Sequence, residues 1–258
     1  MANVRIIPRL DIKGPNVVKG IHMEGIRIVG NPRELALAYT AQGADELVIM
    51  DVVASLYQRN LDFELLKTIV DDIYIPITAG GGIRSLHDMS QALRAGADKV
   101  ALNTYAIHHP EIIREAAETF GAQCVVVSIE AKKIHNGFWE AYTDGGREKT
   151  GINAIDWARK AIAMGAGELM VTSIDAEGAR GGFDHDLIRE VSSLSPISVI
   201  AGGGAGALET ISEIIAAGGP DAVAIASVLH YGDMTVQEVK NHLLKQKIPV
   251  RLAVSNEL

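Results

Sequence analysis

With 258 residues, 48% of them apolar but only 5% aromatic, the chain is too hydrophobic for disorder, and its Val, Ile, Ala and Gly suit buried parallel strands. A formal net charge of -8 argues against nonspecific nucleic-acid binding. A single cysteine excludes a disulfide framework, no stretch reaches the ~18 apolar residues of a membrane span, and no signal-peptide pattern opens the chain, so a cytoplasmic protein is expected.

Apolar runs ending in glycine or polar residues recur at about 4–10, 47–51, 73–79, 98–102, 124–129, 168–174, 197–201 and 221–226. Segments of helical spacing separate them, at about 31–43, 60–71, 85–95, 109–119, 153–164, 184–193, 206–217 and 233–245. Right-handed crossovers of this length make parallel neighbours, and eight such units close a (β/α)8 TIM barrel. Asn31 before Pro32, and Asn153, read as helix N-caps, and Ser85 with Asp88 has the shape of a capping box. Gly43, Gly96, Gly165 and Gly218 read as left-handed helix ends. The stretch from Ile12 to Gly30 is too polar and glycine-broken for a core element and reads as a long loop. Asn136-Gly137 signals a tight hairpin, with Trp139 and Tyr142 on its second strand. Residues 144–151 read as a mobile charged loop, His108-His109 as the opening of the fourth helix, and Cys124 as a small buried hydrophobe.

The chain repeats itself. Ile77-Thr78-Ala79-Gly80-Gly81-Gly82 returns 122 residues later as Val199-Ile200-Ala201-Gly202-Gly203-Gly204. Gly43-Ala44-Asp45-Glu46-Leu47 returns as Gly165-Ala166-Gly167-Glu168-Leu169, and Gly96-Ala97-Asp98 as Gly219-Pro220-Asp221. Four strands in one half would leave open edges, so one domain over 1–258 is expected, built from half-barrels at about 1–120 and 121–258.

In such a barrel the C-terminal strand ends share one mouth. Asp11 and Glu130 end the first and fifth strands, which face each other, and an acid in both copies suits a proton donor and acceptor on opposite sides of a ligand. The alternative is a structural ion pair for each acid. The glycine triplets lack the dinucleotide fingerprint. They fit phosphate nests instead, Gly81 and Gly82 acting with Asn103 and Thr104, and Gly203 and Gly204 with Ala226 and Ser227. Glycines that merely permit close approach at the rim are the competing reading. Two nests imply a long ligand with phosphate at both ends. Asp51 and Thr172 also end strands at this mouth. At the opposite end Arg5, Glu46, Lys99 and Glu168 stand at strand beginnings, where a salt-bridged ring would either plug the base or bound a channel. The histidines form no ligand set and there is no Gly-x-Ser-x-Gly elbow, so neither metal nor cofactor is expected.

The segments Leu10-Asp11-Ile12-Lys13, Val17-Val18-Lys19-Gly20, Gly80-Gly81-Gly82-Ile83, Gly96-Ala97-Asp98-Lys99-Val100, Asn103-Thr104, Thr172-Ser173-Ile174-Asp175 and Gly202-Gly203-Gly204-Ala205-Gly206 resemble the HisF family. These are the cyclase subunits of imidazole glycerol phosphate synthase. The resemblance spans nearly the whole chain. It implies a lyase of histidine biosynthesis that cleaves and cyclises a bisphosphorylated ribulosyl aminoimidazole to imidazole glycerol phosphate and aminoimidazole carboxamide ribotide. It further implies a HisH-like glutamine amidotransferase subunit at the barrel base and ammonia passing along the axis. Arg5, Glu46, Lys99 and Glu168 would be the ammonia gate, Asp98 a partner contact, and Lys19, Glu177 and Gly178 additions to the substrate-binding set.

Several positions depart from the family pattern. Glu130 and Glu177 stand where aspartates are usual, Gly202 where a serine is, and Arg9 where a cysteine is. One added methylene displaces a carboxylate by roughly an ångström, enough to cost on the order of 10²-fold in rate. An altered mouth above a retained base also fits a HisF-like paralogue that passes ammonia to an activated sugar, forming an amidine in lipopolysaccharide synthesis. A partner-independent phosphosugar isomerase and a non-catalytic amidotransferase activator are further alternatives.

Overall fold

The computed structural model describes residues 3–252. In chain order the strands and helices are β1 (Arg5–Lys13), β2 (Asn16–Ile21), β3 (Glu24–Gly30), α1 (Pro32–Ala41), β4 (Leu47–Asp51), α2 (Phe63–Val70), β5 (Ile77–Gly80), α3 (Leu86–Arg94), β6 (Lys99–Leu102), α4 (Thr104–His108) and α5 (Glu111–Phe120). They continue, after a 3-10 turn at Ala122–Cys124, as β7 (Val125–His135), β8 (Phe138–Thr143), β9 (Glu148–Asn153), α6 (Ala154–Ala163), β10 (Glu168–Ser173), α7 (His185–Leu194), β11 (Ser198–Gly202), α8 (Leu208–Gly218), β12 (Ala222–Ile225), α9 (Ser227–His230) and α10 (Val236–Lys245).

Eight parallel strands, in the order β1-β4-β5-β6-β7-β10-β11-β12, close on themselves because β7 pairs β10 and β12 pairs β1. This is the expected (β/α)8 barrel, with both halves of the sequence contributing four strands each. Extending the paired register around the sheet from Arg5 through β12 leads back to β1 at Lys13, eight residues on. That is the shear of such a barrel, and it sorts inward side chains from alternate strands into layers. From base to mouth the layers are Glu46, Lys99, Glu168, Ala222; then Ile7, Thr78, Val126, Ile200; then Val48, Ala101, Met170, Ala224; then Arg9, Gly80, Ser128, Gly202; then Met50, Asn103, Thr172, Ala226; and last Asp11, Gly82, Glu130, Gly204. The apolar middle layers form a core of their own, separate from the larger one between sheet and helices.

The repeated Gly-x-Asp segments have a mechanical role. Asp45, Asp98 and Asp221 each accept a side-chain bond from a backbone N–H at the start of the preceding barrel strand, from Ile6, Ile77 and Val199 respectively. Each also donates its own N–H to that same residue's carbonyl. These paired bonds pin adjacent strands in register before the ladder begins. At the fourth equivalent position Gly167 keeps only the backbone bond, to Val125, because a Cβ there would lie 2.0 Å from the Ala122 carbonyl oxygen.

Asn31 and Asn153 cap α1 and α6 as expected. Ser85 caps α3, but Asp88 does not close a box; its carboxylate accepts instead from Arg84 N–H at 3.0 Å and Asn60 Nδ2 at 2.8 Å. Gly43, Gly96 and Gly165 do take positive φ, whereas the left-handed end of α8 is Gly219, one residue beyond the expected Gly218.

Other expectations are corrected. The stretch after β1 is not a loop but the antiparallel hairpin β2–β3, turning at His22-Met23 with both φ positive, at 52° and 64°. Turns of this hand ordinarily announce themselves with Asn or Gly, and here they do not. Residues 148–153 form β9 against β8, charged because it is a free edge of the sheet. His108-His109 close the short α4 rather than opening the helix that follows. Cys124 is only partly buried. The Asn136-Gly137 hairpin forms, with Trp139 and Tyr142 on β8. No helix among the described residues is long and apolar enough to cross a membrane.

Candidate active site at the barrel mouth

The uppermost layer brings the two candidate acids together. Asp11 on β1 faces Glu130 on β7 across the axis, and the other two places, Gly82 and Gly204, carry no side chain. Two acids confront one another over a gap walled by glycines.

Their surroundings differ. Asp11 receives Arg9 Nε at 2.7 Å and Lys19 Nζ at 3.1 Å. Burial alone would raise its pKa, but these two cations overcome that and hold it down to about 2. Glu130 has no such partner. Burial pushes it up to about 7, only partly opposed by the Arg9 charge and a backbone hydrogen bond from Gly146, and one of its carboxyl oxygens has no protein partner. One acid stays ionised while the other holds a proton close to neutrality, the division that proton transfer requires.

Three cavities that share lining residues occupy the mouth. A cavity of about 390 Å³ is lined by Asp51, Gly81, Gly82, Asn103, Thr104, Glu130 and Arg9, together with Asp144 and Gly145 of the β8–β9 turn. Asn103 keeps one side-chain oxygen buried without a partner. Thr104 receives Asp144 N–H at 3.0 Å, and Asp51 pairs with Arg59 at 2.7 Å. Opposite lies a smaller hollow lined by Glu177, Gly178, Gly203, Gly204, Ala226, Ser227 and, again, Arg9. The third joins Asp11, Lys19, Glu130 and Glu177 between them. Lys19, buried on β2, also pairs with Glu177. Thr172 is set one layer lower, fully buried, with its hydroxyl accepting Arg9 Nη1 at 3.2 Å.

Both halves build their subsite alike. The residue entering α4, Asn103, and that entering α9, Ala226, share nearly the same uncommon backbone, φ -135 ψ -91 and φ -131 ψ -81. Gly82 and Gly204 have positive φ, and a Cβ on either would meet a neighbouring loop's carbonyl oxygen at 2.3 and 2.2 Å. Close approach of the neighbouring loop therefore requires glycine at both places.

At the base, Arg5 bonds Glu46 at 2.7 Å and Glu168 at 2.5 Å, and Lys99 reaches the other oxygen of each at 2.9 Å. The four charges close a ring beneath the apolar axis. Burial alone would raise the Glu168 pKa, but the charges of Arg5 and Lys99 outweigh it and hold the carboxyl below its ordinary value. Asp98 lies at this end, exposed, with one oxygen committed to Ile77.

The family profile described as histidine biosynthesis protein matches residues 5–235. A relative from Legionella pneumophila, imidazole glycerol phosphate synthase subunit HisF, is 60% identical over 209 residues, covering 81% of this chain and 99% of that one. Another protein of that name, from Dehalococcoides mccartyi, is 46% identical over 252 residues, 98% of this chain and 99% of its own length. The chain belongs to the HisF family. It is an enzyme, a cyclase (lyase) subunit of histidine biosynthesis.

Within this HisF-family barrel, sequence reading gave Arg9 no role beyond its departure from the usual cysteine. Its signal was the inward alternation Arg5, Ile7, Arg9, Asp11. His230 was missed as well: it is bonded to the Tyr39 hydroxyl at 2.7 Å, and burial first, then Lys19, lowers its pKa to about 4.

Proposed function

We propose that the cyclase reaction takes place between Asp11 and Glu130, with Asp11 as the standing carboxylate and Glu130 as the group that gives and takes a proton. The substrate is a ribulosyl aminoimidazole carrying a phosphate at each end. Gly81, Gly82, Asn103 and Thr104 hold one phosphate; Gly178, Gly203, Gly204, Ala226 and Ser227 hold the other. Lys19 and Glu177 order the hairpin that borders the bound ligand, and Asp51 and Thr172 brace the floor. The observation that carries this reading is the uppermost layer, where acids and glycines alternate between two equivalent subsites.

The nitrogen comes from a HisH-like glutamine amidotransferase subunit docked at the strand N-terminal face beside Asp98. It enters as ammonia past Arg5, Glu46, Lys99 and Glu168 and rises through the apolar layers. The closed ring supports a gate, since four mutually paired charges can exchange partners without any becoming unpaired. Thr78 and Ser128, whose buried hydroxyls have no protein partner, offer hydrogen bonds along the way.

The test is turnover of the ribulosyl bisphosphate by the purified chain with an ammonium salt. Formation of imidazole glycerol phosphate is expected. Tight binding of the substrate without turnover would overturn the assignment of the acids.

A further inference from the structure

Arg9 lies two places below the mouth acids on β1, in the layer it shares with Gly80, Ser128 and Gly202. Two of its three layer mates lack a side chain and the third is small, so the guanidinium extends across the axis itself. It is 5% exposed, yet it borders all three mouth cavities. Two of a guanidinium's five donors are used here, Nε on Asp11 and Nη1 on Thr172.

We propose that Arg9 is a positioning residue of the reaction: lying across the axis beneath both mouth acids, it holds the Asp11 carboxylate in place through Nε and sets one positive charge between the two acids. Five other titratable groups surround the pair. Lys19 faces Asp11 from β2, Glu177 faces Lys19 from the segment after β10, and Asp144 faces Glu130 from the β8–β9 turn. Arg147 borders the cavity lined by both acids, and His230, on α9, is within reach of the Lys19 and Asp11 charges. The Arg9 charge bears on both acids: it lowers both carboxyls, while the Asp11 carboxylate raises Glu130. A neutral residue at position 9 would therefore let both rise together. The single atom Nε also sets which face of the Asp11 carboxylate is spoken for, leaving its other oxygen to Lys19.

This inference rests on the reading of Asp11 and Glu130 as the reacting pair, so three sets of variants are compared in the ammonium-driven assay across pH. In Arg9→Met the acid limb from Asp11 moves up into the measurable range and the alkaline limb from Glu130 moves up with it, each by about one unit or more. Arg9→Lys, which keeps the charge but lacks the Nε contact, shifts both limbs in the same direction by less. A uniform fall in rate with both limbs unmoved overturns the proposal. Should Arg9→Met fail to fold, an unshifted profile in Arg9→Lys overturns it equally. Asp11→Asn and Glu130→Gln separate the two readings: full turnover in both removes the reacting pair itself, whereas their inactivity beside an unshifted Arg9→Met removes only the role of Arg9.

Discussion

Asp11 and Glu130 stand at the same height on opposite walls of the barrel, one clasped by two cations and the other by none. A single closed sheet thereby presents a permanent carboxylate and a carboxylic acid to the same small volume.

Activity should follow the protonation of Glu130. With its carboxyl near pH 7, ammonium-driven turnover corrected for free ammonia falls as pH rises through about 7, and Glu130→Gln abolishes that limb along with roughly 10²–10⁴ of the rate. Glu130→Asp withdraws the carboxyl by one methylene and costs about 10- to 100-fold. A pH series of kcat/KM on the three proteins checks both statements.

Stability should carry the opposite imprints of the two acids. Glu130 is raised from 4.5 to about 7, so between these values the unfolded chain has lost a proton that the native one keeps, and stability declines as pH rises. Asp11 is lowered from 3.8 to about 2; the stability it adds is complete above its unfolded value and is lost as pH falls through the folded one. Replacing Glu130 with Gln removes the first effect, so the variant gains roughly 1–3 kcal/mol on wild type between pH 5 and 8. Urea unfolding at the two pH values measures it.

The register clamps should differ in cost. Asp221→Ala leaves the Val199 N–H without its side-chain acceptor and costs about 1–2 kcal/mol. Asp45→Ala also takes the carboxylate from Lys240, which is 1% exposed and bonded to Asp45 at 2.7 Å, leaving its charge to the Gly43 and Arg251 carbonyls, so about 3–5 kcal/mol is expected. Chemical denaturation of both variants orders them.

At the base, Lys99→Ala leaves Glu46 and Glu168 facing one another with only Arg5 between them. Glutamine-driven turnover with the amidotransferase partner should fall at least several-fold more than ammonium-driven turnover, which enters from the mouth. Equal losses would remove the gate.

Much of this was legible in the chain. Apolar runs spaced by helical segments, and the 122-residue echo of the glycine stretch, are local and periodic, and closure follows because four parallel strands leave edges that only a second copy covers. The same periodicity placed Asp11 opposite Glu130 and gathered Arg5, Glu46, Lys99 and Glu168 at one end. The hairpin turn at His22-Met23 was not legible, since neither residue advertises positive φ; nor was the β9 edge, whose charges resemble those of a loop.

Sequence alone determined the architecture, the two glycine-lined strand ends and the identity of the facing acids, because each depends on periodicity and on residue type. Only the tertiary structure decided how those acids differ. Arg9 and Lys19 reach Asp11 from separate strands while Glu130 is left with Gly146 and its own burial, and a carboxyl's charge is set by what surrounds it in space, which no spacing along the chain records.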